Sequence, residues 1–109
     1  MKSIVNFADE KLKKSYKELA NSRTEGRILY EWISRAIDDL EKDAFCGIQV
    51  PKRLIPREYV SKYGVDNLWK YDFPKGWRLL YSVVNGEISI LSVILEWMDH
   101  KEYERRFNY

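Results

Sequence analysis

The chain has 109 residues, of which 45% are hydrophobic and 15% aromatic, and it carries 19 basic and 17 acidic side chains. This length suits one domain, 1–109, rather than two, and the hydrophobic share excludes a disordered chain. A net charge of only +2 excludes binding to nucleic acid through overall charge, so any electropositive surface requires local clustering of cations.

Cysteine usage and hydropathy further restrict the kind of protein that this sequence can encode. Cys46 is the only cysteine, so an internal disulfide is excluded and we expect a buried structural thiol. One cysteine and one histidine argue against a zinc site, and the sequence contains no Gly-rich phosphate loop. The longest apolar run, 88–95, is too short to span a membrane, and the first residues lack the apolar segment of a secretory signal. We therefore expect a cytoplasmic protein.

The first half of the chain is predicted to contain a short strand and two helices. Residues 3–7 favour the strand, Asp9 is placed to cap the first helix, and Ser22 to Glu25 has the spacing of a capping box for the second. Apolar residues then recur at helical spacing: Leu12, Tyr16, Leu19 and Ala20, then Leu29, Trp32, Ile33, Ala36, Ile37 and Leu40. The short link predicts an antiparallel helical hairpin ending near Ala44.

Residues 48–64 follow as a basic, proline-containing segment. Pro51 and Pro56 exclude a regular helix or central strand here, so an extended loop with a short helix near 58–62 is predicted. Its cations are Lys52, Arg53 and Arg57.

The last third of the chain reads as three strands, 68–73, 77–84 and 87–97. Asn85-Gly86 between the last two predicts a type I′ hairpin turn, because both central residues of that turn need positive φ. Alternation along the middle strand gives two faces, one with Trp77, Leu79, Tyr81 and Val83 and the other with Arg78, Leu80, Ser82 and Val84. The last strand is apolar on both faces, which is typical of a strand covered on both sides.

Arg78 stands out because it is a cation on an apolar strand, where a buried charge needs a partner. It either contributes to an anion site or pairs with a carboxylate, Asp72 or Glu96. Arginine is the preferred residue for bidentate phosphate contact, and Lys52, Arg53 and Arg57 are candidates to converge on the same region. The alternative for those three is a solvated loop.

The last candidates lie on a C-terminal helix. Asp99 is placed to cap it, with Glu102 at the reciprocal position, and His100 and Tyr103 then share one face. Imidazole titrates near neutral pH and suits acid or base catalysis. The alternatives are an exposed His100 at the start of a helix and a Tyr103 that is a core aromatic with a wet hydroxyl. A Cys46–His100 nucleophile pair is formally possible, but nothing around Cys46 supports it.

From Leu68 onward the sequence resembles the RelE/ParE toxin superfamily of type II toxin–antitoxin systems. The segments that carry this resemblance are Gly76-Trp77-Arg78-Leu79-Leu80-Tyr81-Ser82-Val83, Ile88-Ser89-Ile90-Leu91-Ser92-Val93 and His100-Lys101-Glu102-Tyr103, with Val50-Pro51-Lys52-Arg53-Leu54 as the preceding basic stretch. The motif covers about the last forty residues, and the order of elements fits most of the chain.

The resemblance implies an α+β fold in which an N-terminal helical hairpin packs on a twisted, mainly antiparallel sheet of about four strands, followed by a short C-terminal helix. In the RelE-like branch it implies cleavage of mRNA on the ribosome without a metal or cofactor. Carried over residue by residue, Arg78 matches the arginine at the scissile phosphate. His100 or Lys101 matches the basic position before the last helix, and Tyr103 matches the terminal tyrosine.

Two functions are therefore weighed. The first is an mRNA interferase, with Arg78, His100 and Tyr103 as catalytic residues and Lys52, Arg53, Arg57 and Lys101 as RNA-binding residues. The second is a non-catalytic ParE-like gyrase inhibitor or decayed toxin that acts through protein binding. Either implies a cognate antitoxin as partner, and the aromatic strands leave a weaker third option of a regulatory RNA-binding module.

Overall fold

The computed structural model describes residues 1–107 and shows an α+β fold in which helices cover both faces of a mixed sheet. In chain order the elements are β1 (Ile4–Phe7), α1 (Glu10–Leu19), α2 (Glu25–Lys42), β2 (Ile48–Gln49), α3 (Arg57–Tyr63), β3 (Trp69–Asp72), β4 (Arg78–Asn85), β5 (Ile90–Met98) and α4 (His100–Phe107), with 3₁₀ turns at Lys52–Leu54 and Pro74–Gly76.

The sheet has the order β1-β5-β4-β3-β2. β1 runs parallel to β5, and the other neighbouring pairs are antiparallel. The prediction of about four strands misses β2, which lies in the segment expected to be a loop and pairs Ile48 with Lys70. A two-residue strand leaves no periodicity in the sequence, so its pairing depends on the neighbouring strand.

One face of the sheet packs against α2. Leu79, Tyr81 and Ile94 form a buried cluster with the inner face of α2, which contributes Leu29, Ile33, Ala36 and Leu40. Tyr16 of α1 stacks on Tyr30 at 4.9 Å between ring centroids, a contact that fits the predicted antiparallel hairpin. The predicted apolar faces of the hairpin and of β4 are thus confirmed.

The other face of the sheet is covered by α3 and α4. Leu80 and Leu95 pack there against Tyr59 of α3 and Tyr103 of α4. The short helix predicted near 58–62 is present as α3, and Val50 and Leu68 complete this second cluster. Coverage on both sides explains why β5 is apolar on both faces apart from Ser92 and Glu96.

Two local predictions are wrong. Ser22 does not cap α2: its Oγ donates to the Glu18 carbonyl, and Thr24 is the N-cap without a side-chain hydrogen bond. The β4–β5 connection is not a two-residue type I′ turn, because β5 begins at Ile90 and Gly86 N–H donates to the Ser89 carbonyl at 2.9 Å. Neither Asn85 nor Gly86 has a positive φ.

The two aspartate caps are confirmed. The Leu12 N–H donates to Asp9 Oδ1 at 2.8 Å, and the Glu102 N–H donates to Asp99 Oδ1 at 2.9 Å. Across residues 1–107, no helix combines the length and the apolar character needed to cross a membrane.

Candidate functional site

The candidate site lies at one end of the sheet, where β4 begins and α4 starts. Arg78 is the first residue of β4 and faces the α4 side, as the alternation predicts. Its guanidinium carbon lies 4.9 Å from the centroid of the Tyr103 ring, within the range of a cation–π contact. The sheet and the last helix therefore bring these two predicted residues together.

Arg78 also has a carboxylate partner. Its Nε lies 3.0 Å from Asp72 Oδ1 on the adjacent strand β3, and its side chain is only 15% exposed. The register pairs Asp72 directly with Arg78, so the ion pair follows from the sheet. The Nε–H is nevertheless buried without an acceptor in hydrogen-bonding geometry. This contact is thus a charge pair without an aligned hydrogen bond, and because the Nε is buried it is not accessible to a bound anion.

A second cation, Lys70, joins this cluster and was not predicted. Its Nζ lies 5.6 Å from the Tyr103 ring centroid and 3.5 Å from Asp72 Oδ1. The signal was present in the sequence, because Lys70 and Asp72 are two residues apart on one strand and so share a face. Only the pairing of β3 with β4 shows that this face is the one carrying Arg78.

Tyr103 lies beneath the two cations. It is 3% exposed and packs in the second core cluster, with its ring 4.4 Å from that of Phe107. A ring in this position cannot stack on a nucleotide. Its ring contacts the Arg78 guanidinium and the Lys70 ammonium, which are themselves mostly buried, so the expectation of a core aromatic describes its environment better.

His100 begins α4 at the edge of the same cluster. Its side chain is 56% exposed, and its Nε2 lies 2.9 Å from Glu104 Oε1, one helical turn further on. Gly76 packs closely against it, since a Cβ at that glycine would lie 2.6 Å from the His100 Cβ. The imidazole therefore lies beside the turn that leads into Arg78, and Glu104 orients it.

The other predicted RNA-binding residues lie elsewhere. Arg53 and Arg57 line a surface depression with Arg106 and Phe107, at the end of α4 opposite His100. Lys52 is exposed in the 3₁₀ turn. The structure does not bring these three cations to Arg78. Lys101 is closer in the chain but exposed, and it borders a shallow surface with Asp99, Glu102 and Arg105.

Glu96, the other possible partner of Arg78, belongs to a separate ion-pair network. Its Oε1 accepts from Arg106 Nη1 at 2.9 Å, and Arg106 also reaches Glu58 at 3.0 Å. Burial raises the pKa of Glu96, and the Arg106 guanidinium opposes that shift. The network connects α4 to α3 and β5 and leaves Arg78 with Asp72.

Cys46 is exposed, so the prediction of a buried thiol is wrong. Cys46 lies between α2 and the edge strand β2. No further strand of residues 1–107 covers the sheet there, so the thiol is exposed to solvent. Within the described residues, Cys46 and His100 share no hydrogen bond, and no group of three or more His, Cys, Asp or Glu residues could hold a metal ion.

Comparison with protein-family models, curated proteins and solved structures finds no match for this chain.

Proposed function

We propose that the protein is a toxin of a type II toxin–antitoxin system that cleaves mRNA on the ribosome. The observation that carries the proposal is the stacking of the Arg78 guanidinium on the Tyr103 ring, at 4.9 Å, with Lys70 beside it and His100 at the start of the same helix. Two cations and an imidazole at one end of a sheet can stabilise the charge on a phosphodiester and protonate its leaving group, which are two of the functions that cleavage needs.

The reaction uses the substrate's own 2′-hydroxyl. The 2′-hydroxyl gives its proton to solvent water as its oxygen attacks phosphorus, the bond from phosphorus to the 5′-oxygen breaks, and a 2′,3′-cyclic phosphate remains. Arg78 and Lys70 stabilise the charge that develops on the phosphoryl oxygens. His100, oriented by Glu104, donates a proton to the leaving 5′-oxygen. Tyr103 acts as a positioning residue because it supports both cations from below.

Asp72 weakens anion binding at this site and so supports a second candidate function, one without catalysis. It lies 3.0 Å from Arg78 Nε and 3.5 Å from Lys70 Nζ, so it neutralises part of the charge that a phosphate would meet. A phosphate group must compete with this carboxylate for both cations. A site held in this way also suits a non-catalytic protein, and this is the observation that favours a ParE-like inhibitor or a decayed toxin.

Both candidates require a cognate antitoxin. An acidic segment of such a partner would compete with RNA for Arg78 and Lys70. Association through this surface is therefore expected to weaken as salt concentration rises.

The deciding experiment is primer extension on mRNA in translating ribosomes. Wild-type protein is expected to produce discrete cuts in the ribosomal A site. Arg78→Ala and His100→Ala are each expected to reduce cleavage by about 100-fold or more, in line with the loss of one electrostatic or acid–base group. Arg57→Ala is the control, since Arg57 is an exposed cation that lies at the other end of α4.

Three results contradict the proposal. Full cleavage activity in both Arg78→Ala and His100→Ala contradicts the catalytic roles assigned to these two residues. Equal loss in Arg57→Ala shows that general charge, and not this site, matters. No cleavage by folded wild-type protein favours the inhibitor, and supercoiling by gyrase is then the activity to measure.

A further inference from the structure

A small pocket lies between the first turns of α2 and the Pro74–Gly76 turn. Its volume is about 170 Å³, and it is lined by Glu25, Ile28, Leu29, Trp32, Lys75 and Trp77. Trp32 and Trp77 are both half-buried, and Trp32 is held from behind by Phe73 at 5.9 Å between ring centroids. The walls are thus aromatic and apolar, and Glu25 and Lys75 are exposed.

The size of the pocket fits a single planar ring system. An apolar cavity of about 150 Å³ in another protein holds one benzene molecule, and this pocket has about 170 Å³. Tryptophan faces bind nucleobases by stacking, and they do so without strong dependence on the base. A pocket that offers aromatic walls and a cation at its rim suits a base with its phosphate attached.

Backbone strain is concentrated at this pocket. Thr24 has φ +47° and Lys75 has φ +59°, and they are the two non-glycine residues of positive φ in the described chain. Lys75 lines the pocket, and Thr24 immediately precedes Glu25, which also lines it. Such conformations cost free energy and persist chiefly where the surrounding structure requires them, often at functional sites. Two of them on opposite sides of one pocket point to a function there.

The pocket and the candidate site lie on opposite faces of the sheet but are joined by consecutive residues of the chain. Lys75, Gly76, Trp77 and Arg78 are consecutive: Trp77 lines the pocket on the α2 side, and Arg78 contacts Tyr103 on the opposite side of the sheet. Gly76 between them packs on His100. A strand of RNA that bends around this end of β4 would therefore meet the aromatic pocket and the phosphate site in succession.

We infer that the Trp32–Trp77 pocket binds one unstacked base of single-stranded RNA, next to the phosphate contacted by Arg78; the inference rests on the proposed function. The Lys75 ammonium contacts the phosphate that links the two positions. The Glu25 carboxylate accepts a hydrogen bond from an exocyclic amino group. Adenine, cytosine and guanine carry such a group and uracil does not, so the pocket discriminates against uracil.

The test is an NMR titration of the ¹⁵N-labelled protein with triadenylate, triuridylate and an abasic ribose-phosphate trimer. Triadenylate is expected to shift the indole N–H signals of Trp32 and Trp77 and to bind roughly tenfold or more tightly than the abasic trimer, the range expected for one stacked base. Trp69 is the internal control, because it packs against Phe45 and Tyr81, away from the pocket.

Lys75→Gly separates function from folding. Glycine tolerates positive φ, so this variant is expected to keep or raise the melting temperature while its affinity for triadenylate falls several-fold. Glu25→Gln is expected to reduce the preference for triadenylate over triuridylate. Reduced affinity together with a lower melting temperature in Lys75→Gly would assign the residue a merely structural role.

The outcomes distinguish this inference from the proposed function. Shifts near Arg78 and His100 without shifts at Trp32 and Trp77 overturn the pocket and leave the nuclease proposal intact. Shifts at the two tryptophans while the abasic trimer leaves Arg78 unaffected support the pocket and count against the phosphate site. No shift at either tryptophan with any of the trimers overturns the inference.

Discussion

At the scale of single residues, Gly76 allows His100 to pack closely against the turn that precedes Arg78. It has φ +80°, and a Cβ there would lie 2.6 Å from the His100 Cβ. Gly64 has a similar φ of +65° at the end of α3, but nothing lies within 4 Å of the position of its Cβ. The two glycines therefore separate the effect of backbone conformation from that of close packing.

Gly64→Ala is expected to lower the free energy of unfolding by about 1 kcal/mol, the cost of placing a Cβ in the left-handed region. Gly76→Ala is expected to lower it by at least about 1 kcal/mol more, because the new methyl group also displaces His100. Urea unfolding of both variants measures the difference. Equal losses would mean that His100 moves freely, and its position at the start of α4 would then not depend on this turn.

At the scale of elements, α4 is the helix on which the candidate site depends. It carries His100 and Tyr103, and Arg106 fixes it to the rest of the molecule. The Arg106 side chain is 18% exposed and pairs with Glu58 of α3 and Glu96 of β5. Its neighbour Arg105 is 71% exposed and pairs with Glu102 on its own helix. The two arginines are therefore a matched pair, one internal and one external.

Arg106→Ala is expected to lower the free energy of unfolding by about 2–3 kcal/mol, because it leaves the partly buried Glu96 without its partner. Arg105→Ala is expected to cost less than about 1 kcal/mol, as for other exposed ion pairs. Thermal or urea unfolding of the two variants compares them. Similar losses would show that α4 is held by its apolar face alone, through Tyr103 and Phe107.

At the scale of the whole molecule, the two carboxylates around Arg106 give opposite contributions to the pH dependence of stability. The hydrogen bonds and charge of Arg105 lower the pKa of Glu102 to about 2, so its contribution is present above the ordinary glutamate pKa and is lost as the pH falls towards 2. Burial raises the pKa of Glu96. Its folded form binds the proton more tightly, so stability decreases as the pH rises through its folded pKa.

Replacement of each glutamate by glutamine distinguishes the contribution of Glu102 to stability from that of Glu96. Glu102→Gln is expected to lower the free energy of unfolding at pH 7 and to approach wild type as the pH falls towards 3. Glu96→Gln keeps an acceptor for Arg106 and removes a partly buried charge, so we expect stability at pH 7 equal to or above wild type. Urea unfolding across this pH range measures both. A large loss in Glu96→Gln at pH 7 would mean that its attraction to Arg106 exceeds the cost of burial.

Local patterns in the sequence were sufficient to predict most of the elements. Helical periodicity identified the inner face of α2, alternation identified the two faces of β4, and Asp9 and Asp99 were recognised as caps. These features depend on neighbours a few residues apart, which the sequence displays directly. The capping box at Ser22 and the turn at Asn85-Gly86 failed because the same residue types also suit other local hydrogen bonds.

Tertiary structure alone decided what surrounds the candidate site. The sequence left Arg78 a choice between Asp72 and Glu96, and the register of β3 on β4 selected Asp72 while α4 brought Arg106 to Glu96. The tertiary structure also places Lys70 over Tyr103 and buries that tyrosine. It leaves Arg53 and Arg57 at the far end of α4. Each of these outcomes depends on residues distant in the chain. Strand register and helix docking fix such contacts, and periodicity within one segment carries no information about either.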